Sequence, residues 1–485
     1  MPSKPTRREV LQAGGLGLAG LSLIASSSAA PESESKLYLE AYTDRWSYQP
    51  GDEVSIHVST NASRYALEFA RIGASRDVVW SKEDVPGSEH PVPADASARG
   101  CNWPVALTLK VSPEWKSGYY AARVRLAGKD GKYQPGQART IPNSGVPQLF
   151  FVVRPADPGR EAKILLQFST NTYNAYTAYG GYSVYAYQGR DKVQGRRVSF
   201  ERPQVSQFAT WEQHFIAWAE KAGYKLDYAV NNDLEFHPEL LKPYKLILSV
   251  GHDEYWSSPM RDHLEAYIGA GGNVAFFSGN TCCWQIRNEE GGRAFTCWKQ
   301  TFGDDPYYKD RSKHRLLSTL WSHHLVGRPE NQLTGVGFLW GGYHLSHGQF
   351  MEGPGAFTVE RPDHWLFADT GLKRGDAFGG KDTIVGYECD GCQLERKDGL
   401  PVPTGRDGTP RDFTIVATAP ARWHPDDCEW YERWEKGRLG HAVLGTYTRG
   451  GTVVTTGTTD WSHGLRGGDK IVEQITRNVL DRLGK

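Results

Sequence analysis

Lys245-Leu246-Ile247-Leu248-Ser249-Val250-Gly251-His252-Asp253-Glu254-Tyr255-Trp256 changes character halfway through. Lys245 to Val250 is a short apolar run without a period of two, the pattern of a strand buried on both faces. Gly251 to Trp256 then supplies an imidazole, two carboxyls and two aromatic rings. A buried strand that runs directly into such a turn points to the carboxyl edge of a parallel sheet, where α/β proteins hold their ligands.

The neighbouring residues repeat that grammar. Ala162 to Phe168 is another largely apolar strand, Trp211 to Ala222 has helical spacing, and Pro259 to Ile268 predicts a helix closed by Gly271-Gly272. Asn273 to Ser278 predicts the next strand, and alternation of this kind implies a parallel sheet with helices on both sides. The unusual residues cluster where these strands end: Asn171-Thr172-Tyr173-Asn174-Ala175-Tyr176, then Gly251 to Trp256, then Gly279-Asn280. A later strand, Thr383-Ile384-Val385-Gly386-Tyr387, is expected to run into Glu388. If all four strands share one sheet, a phenol, an imidazole, two carboxyls and an amide share one rim.

Before Pro155-Ala156-Asp157-Pro158-Gly159 the pattern is different. From Leu37 to about Arg154, short alternating runs are punctuated by turns, which predicts an antiparallel β-sandwich of immunoglobulin-like kind. Within Tyr119-Tyr120-Ala121-Ala122-Arg123-Val124-Arg125-Leu126, a period of two sends Tyr120 inward with Ala122, Val124 and Leu126. The expected division is therefore a β-sandwich over 31–155 and an α/β domain over 156–485. Residues 1–30 read as an address: Thr6-Arg7-Arg8-Glu9-Val10-Leu11 precedes an uncharged run, and Ser28-Ala29-Ala30 offers a cleavage site. That is the form of a twin-arginine export signal, and it predicts a periplasmic or secreted protein with no stable membrane association once the signal is cleaved. Gly15-Leu16-Gly17-Leu18-Ala19-Gly20 inside it matches a dinucleotide fingerprint, but no strand precedes it and it is discarded.

Lys+Arg 56 against Asp+Glu 56 leaves no net charge, which argues against nucleic-acid binding and polybasic membrane binding. The chain is instead rich in rings, with Trp 16, Tyr 24 and Phe 18. Seven cysteines leave at least one unpaired, and Cys389-Asp390-Gly391-Cys392 lacks the second C-x-x-C of a structural zinc site. His323-His324 and His344-Leu345-Ser346-His347 are candidate imidazole ligands without an H-e-x-x-H pattern, and a solvated loop is the simpler reading of both.

Asn171 to Tyr176, Gly251 to Trp256, Gly279-Asn280, Gly386-Tyr387-Glu388 and Gly457-Thr458-Thr459-Asp460-Trp461 resemble motifs of the large-subunit family of N,N-dimethylformamidase. The resemblance implies an α/β domain similar in layout to class I glutamine amidotransferases, beside a β-rich domain. It also implies a mononuclear iron held by two tyrosines and a glutamate, hard oxygen donors that suit the ferric ion. By motif these correspond to Tyr176, Glu254 and Tyr120, with Tyr119 adjacent to the last and alternation favouring Tyr120. His252, Asn280 and Glu388 are implied beside the metal, Glu388 as general acid or base and the other two orienting water and carbonyl oxygen. The function this implies is exported, iron-dependent hydrolysis of the C–N bond of a small amide, with a small accessory subunit or a second copy as the partner. Two other readings stand beside it. One is an amidase using Cys282 or Cys283 as nucleophile, and the other a secreted, non-catalytic carbohydrate-binding protein.

Overall fold

The computed structural model describes residues 36–128, 130–344, 351, 353–423, 430–435 and 438–485. The expected export signal, His347 and Cys428 lie outside the described residues. The chain forms a mixed α/β structure of several sheets.

The N-terminal part is antiparallel for the most part. Leu39–Thr43, Glu53–Thr60 and Val105–Lys110 form one sheet, and Gly118–Ala127 lies in a second, between Phe150–Val153 and Arg64–Ile72. Alternate residues of these strands, among them Val54, Ile56, Leu67, Phe69, Tyr120 and Phe151, meet in one apolar core. The opposite face of Gly118–Ala127 is not wet either: Tyr119 stacks on Phe208 at 3.9 Å and meets Phe168 edge-on. The period of two thus sends adjacent tyrosines into different cores.

The second part is built on an eleven-stranded sheet. Leu226–Val230, Ile164–Phe168, Leu246–His252, Asn273–Gly279 and Gly451–Thr455 run parallel in that order. The sheet continues as Leu439–Arg449, Thr414–Arg422, Gly337–Tyr343 and Glu388–Gly391, all paired antiparallel. Both faces of the parallel strands are covered, which is why their sequences show no alternation. Leu166 and Leu248 pack with Phe215 and Ile216 of the Glu212–Lys221 helix and Val479 of the Lys470–Leu483 helix. Leu165 and Ile247 pack with Met260, Leu264 and Ile268 of the Ser258–Gly269 helix. Truncating any of these leucines to Ala costs about 2–5 kcal/mol, because the close-packed site cannot refill.

One expected element is corrected. Thr383 to Tyr387 is not a strand: Thr383 has φ 51°, and the Ile384 and Gly386 carbonyls accept from the Thr458 hydroxyl instead of a neighbouring strand. Pairing begins at Glu388, which opens the Glu388–Gly391 strand and does not follow one. The strands that precede Tyr176, His252 and Asn280, and the one that carries Glu388, do belong to the same sheet.

Candidate active site

His252 is the last residue of its parallel strand and Asn280 follows the last residue of the next, so the sheet register sets their imidazole and amide side by side. Asn280 takes a left-handed turn (φ 50°), costly for a side chain with a Cβ, and both carboxyl oxygens of Asp390 hold it there. They accept from the backbone N–H groups of Asn280 and Thr281 at 3.0 Å each. Asp390 stands two residues after Glu388, so a single strand both supplies one site carboxylate and clamps the turn beside it. Glu254 follows His252 after Asp253, whose own carboxylate is buried and accepts from Ser249 and Asn231. Its backbone N–H donates to Thr172 Oγ1 at 2.9 Å, which ties it to the helix that ends at Tyr176. Glu254 does not cap the following helix, since Ser257 Oγ accepts from the Met260 N–H there.

These side chains converge. His252 Nε2 lies 2.9 Å from Glu388 Oε2 and 3.2 Å from Glu254 Oε2. Asn280 Nδ2 donates to Glu388 Oε2 at 3.0 Å. Glu254 also accepts from Trp284 Nε1 at 2.7 Å and from the Tyr185 hydroxyl, which stands 2.9 Å from both of its oxygens. His252, Glu254, Asn280 and Glu388 are each no more than 2% exposed. Burial alone would depress the His252 imidazole, but the Glu388 and Glu254 carboxylates outweigh it and raise its pKa well above the ordinary value. Burial would likewise raise the Glu254 carboxyl, but His252 and then Lys299 hold it well below the usual carboxylate range. The two neighbouring carboxyl groups therefore favour the charged form of His252.

Tyr176 completes the cluster, its ring 5.5 Å from that of His252 and 4.4 Å from that of Tyr185. Its hydroxyl is buried beside the Tyr185 hydroxyl with no hydrogen bond of good geometry. Tyr120 is not brought here. Its hydroxyl donates to the Lys116 carbonyl at 2.6 Å, and its ring stacks on Trp115 and Phe151 in the core of the β-rich part. Tyr119 is not here either, since its hydroxyl donates to Ser206. The second phenol beside Glu254 is that of Tyr185, which lies in an irregular stretch outside any helix or strand. Behind it stands Lys299, 2% exposed, whose ammonium donates to the Tyr255 hydroxyl at 2.9 Å and sits 3.4 Å from the centre of the Tyr185 ring. The Tyr255 hydroxyl donates in turn to Tyr185 at 2.7 Å.

A buried polar atom without a partner calls for an explanation, and several gathered at one point suit a bound ion, water or substrate. Here there are three in one cluster: Tyr176 Oη, His252 Nδ1 and Asn280 Oδ1. Two phenols and a carboxylate are hard oxygen donors, so Tyr176, Tyr185 and Glu254 fit a ferric ion better than zinc or copper. Both phenols are pushed far up by burial first, so neither ionises without a cation to offset the cost. Trp211 and Tyr387 meet His252 edge-on at 5.6 and 5.8 Å and give the cluster an apolar wall. Cys282 and Cys283 do not suit a nucleophile: both are at most 1% exposed, and burial pushes both thiols up, the reverse of activation.

The family described as N,N-dimethylformamidase beta subunit-like, C-terminal, matches residues 65–475. The N,N-dimethylformamidase beta subunit of Paracoccus aminophilus is 24% identical over 459 residues, 79% of this chain and 55% of that protein. The corresponding subunit of an Alcaligenes species is 24% identical over 458 residues, again 79% of this chain and 55% of that protein. The chain thus spans about half the length of these curated relatives. Among solved structures, the mmIFT52 N-terminal domain aligns at TM-score 0.28 and 11% identity over 55% of this chain and 87% of that one. With a family match that covers most of its length and the cluster described above, this chain belongs to the N,N-dimethylformamidase beta subunit-like family.

Proposed function

We propose that this chain hydrolyses the C–N bond of a small amide at the His252, Asn280 and Glu388 cluster, with an iron ion held by Tyr176, Tyr185 and Glu254. The observation that carries the reading is the buried Tyr176 hydroxyl, left without a good hydrogen bond beside Tyr185 and Glu254. When bound, a ferric ion supplies Lewis acidity that polarises an amide carbonyl or acidifies a water.

The protein's own groups account for the remaining work. Glu388 Oε2 accepts from both His252 and Asn280, which orients the carboxylate, and in this reading it is the base that takes a proton from the attacking water and returns it to the leaving amine. His252 carries a positive charge between the two carboxylates, so it offsets the negative charge that develops as the carbonyl carbon becomes tetrahedral. Asn280 Oδ1 and His252 Nδ1 are the unpartnered atoms left for the substrate or the water. Trp211, Tyr387 and the tyrosine rings exclude bulk water and suit a small apolar N-alkyl group.

The relatives are named as beta subunits, which supports assembly with an accessory subunit or a second copy. Export by the twin-arginine route is part of the same reading and rests on Arg7 and Arg8. The test is release of amine from N,N-dimethylformamide and related small amides by iron-loaded protein, with Tyr176→Phe as the comparison. Turnover at full rate by Tyr176→Phe without iron would remove the metal from the mechanism.

A further inference from the structure

His323 and His324 sit outside the cluster just described, and their surroundings are those of a second metal site. The two rings stack at 4.5 Å and 29°. Glu432 reaches them from a different segment, its Oε1 3.1 Å from His324 Nε2 and its Oε2 3.8 Å from His323 Nε2. Among the described residues this is the group of His, Cys, Asp and Glu side chains whose ligand atoms lie close enough together for one ion, all within 4.8 Å. A second observation points the same way. The His323 side chain is 0% exposed, and its Nε2, aimed at Glu432, has no hydrogen-bond partner. Phe302 packs on the same ring at 4.4 Å, which holds the imidazole with Nε2 towards Glu432.

We propose that His323 Nε2, His324 Nε2 and the Glu432 carboxylate bind a zinc ion. Two imidazoles and a carboxylate suit a borderline cation and disfavour magnesium or calcium, which seek oxygen alone. Ligand atoms about 2 Å from one tetrahedral ion stand about 3.3 Å apart, and the separations of 3.1 Å to Glu432 Oε1 and 3.8 Å to Oε2 lie on either side of that. Glu432 is 56% exposed, which leaves an open side for entry of the ion and for a water as further ligand. With Nε2 on the metal, the His323 ring proton resides on Nδ1, and the Leu325 N–H that stands 3.3 Å from Nδ1 gives up that long contact.

The position gives the ion a task. Glu432 belongs to the segment in which Trp430 stacks on Trp284 at 6.0 Å, and Trp284 Nε1 donates to Glu254. An ion shared by Glu432 and the histidines therefore ties that segment down over a wall of the active site. The inference does not depend on iron at Tyr176, Tyr185 and Glu254.

The test is metal analysis of the purified full chain after equilibration with buffered zinc, with Co2+ as a spectroscopic probe. The expected result is about one zinc per chain, and visible ligand-field bands when Co2+ replaces it. His324→Ala and Glu432→Gln should each weaken zinc binding by at least about tenfold with unchanged iron content. Glu432 is exposed, so its variant folds even if a histidine variant does not. Tyr176→Phe should leave the zinc in place. Absence of bound zinc, unchanged affinity in both variants, or loss of the zinc in Tyr176→Phe would each overturn the site, the last by assigning the ion to the active-site cluster.

Discussion

Tyr185→Phe and Tyr120→Phe remove the same atom from the same residue type and are expected to have opposite consequences. The Tyr120 hydroxyl makes one neutral hydrogen bond, to the Lys116 carbonyl at 2.6 Å, within the core of the β-rich part. Its loss costs about 1 kcal/mol of stability and touches nothing near Glu254. The Tyr185 hydroxyl is one of three side chains that donate to the Glu254 carboxylate, with Trp284 and His252, and it also accepts from Tyr255. A hydrogen bond to a buried charge is worth about 1.5–3 kcal/mol, and its removal leaves the Tyr255 hydroxyl without its acceptor as well. If Tyr185 is also a ligand, iron affinity falls by at least about tenfold. The assay is iron content per chain together with the visible phenolate-to-iron band, measured on both variants beside the unaltered protein. Tyr120→Phe should keep both signals, and Tyr185→Phe should lose most of both with its circular dichroism intact. If Tyr120→Phe loses the iron while folded, or Tyr185→Phe keeps full iron and an unshifted band, the assignment of the second phenol is refuted.

Glu388→Gln should retain iron and reduce amide turnover by about 10²–10⁴-fold, the usual contribution of a general base; near-normal turnover would relegate Glu388 to a structural role. Cys282→Ser and Cys283→Ser should lower stability, since each buries a hydroxyl, yet keep turnover per folded molecule, and loss of turnover with retained iron would revive the thiol mechanism. Burial raises the Asp390 carboxyl to about 8, so the folded state holds that proton between about pH 4 and pH 8 while the unfolded chain releases it. That term is neutral below pH 4, and stability should fall as pH rises through the window; Asp390→Asn should flatten the fall in denaturant titrations at pH 5 and pH 8, and a steeper fall in the variant would contradict the sign. Arg7→Lys with Arg8→Lys should trap precursor in the cytoplasm, and normal export of that variant would point to another route.

What the sequence made legible was the part decided by local pattern. Apolar runs buried on both faces must be central strands, and a polar turn after each one must lie at a rim, so His252, Glu254 and Asn280 were placed by reasoning that needs no partner strand. Glu388 reached the correct neighbourhood by a mistaken element. Thr383-Ile384-Val385 has the β-branched composition of a strand, but the Ile384 and Gly386 carbonyls accept from the Thr458 hydroxyl, a side chain some seventy residues away whose competition no local window reveals. The antiparallel half of the sheet was hidden for the same reason, since its order depends on pairings between distant segments. Tyr120 shows the limit of alternation: a period of two says that a side chain faces inward, not which core receives it, and here adjacent tyrosines enter two. Tyr185 had a different signal. Six tyrosines fall between Tyr173 and Tyr187, immediately beyond a parallel strand, and five of them recur at intervals of three from Tyr173 to Tyr185. Only Tyr173 lies in the short helix there, which Tyr176 closes, so the spacing marks no continuous helix face, and the density of phenols at a sheet rim was the informative feature. Lys299 had no such signal. A lysine between Trp298 and Gln300 becomes a site residue only because the fold buries its ammonium against Tyr185 and Tyr255, and the electrostatic balance it enters does not exist until those rings are assembled.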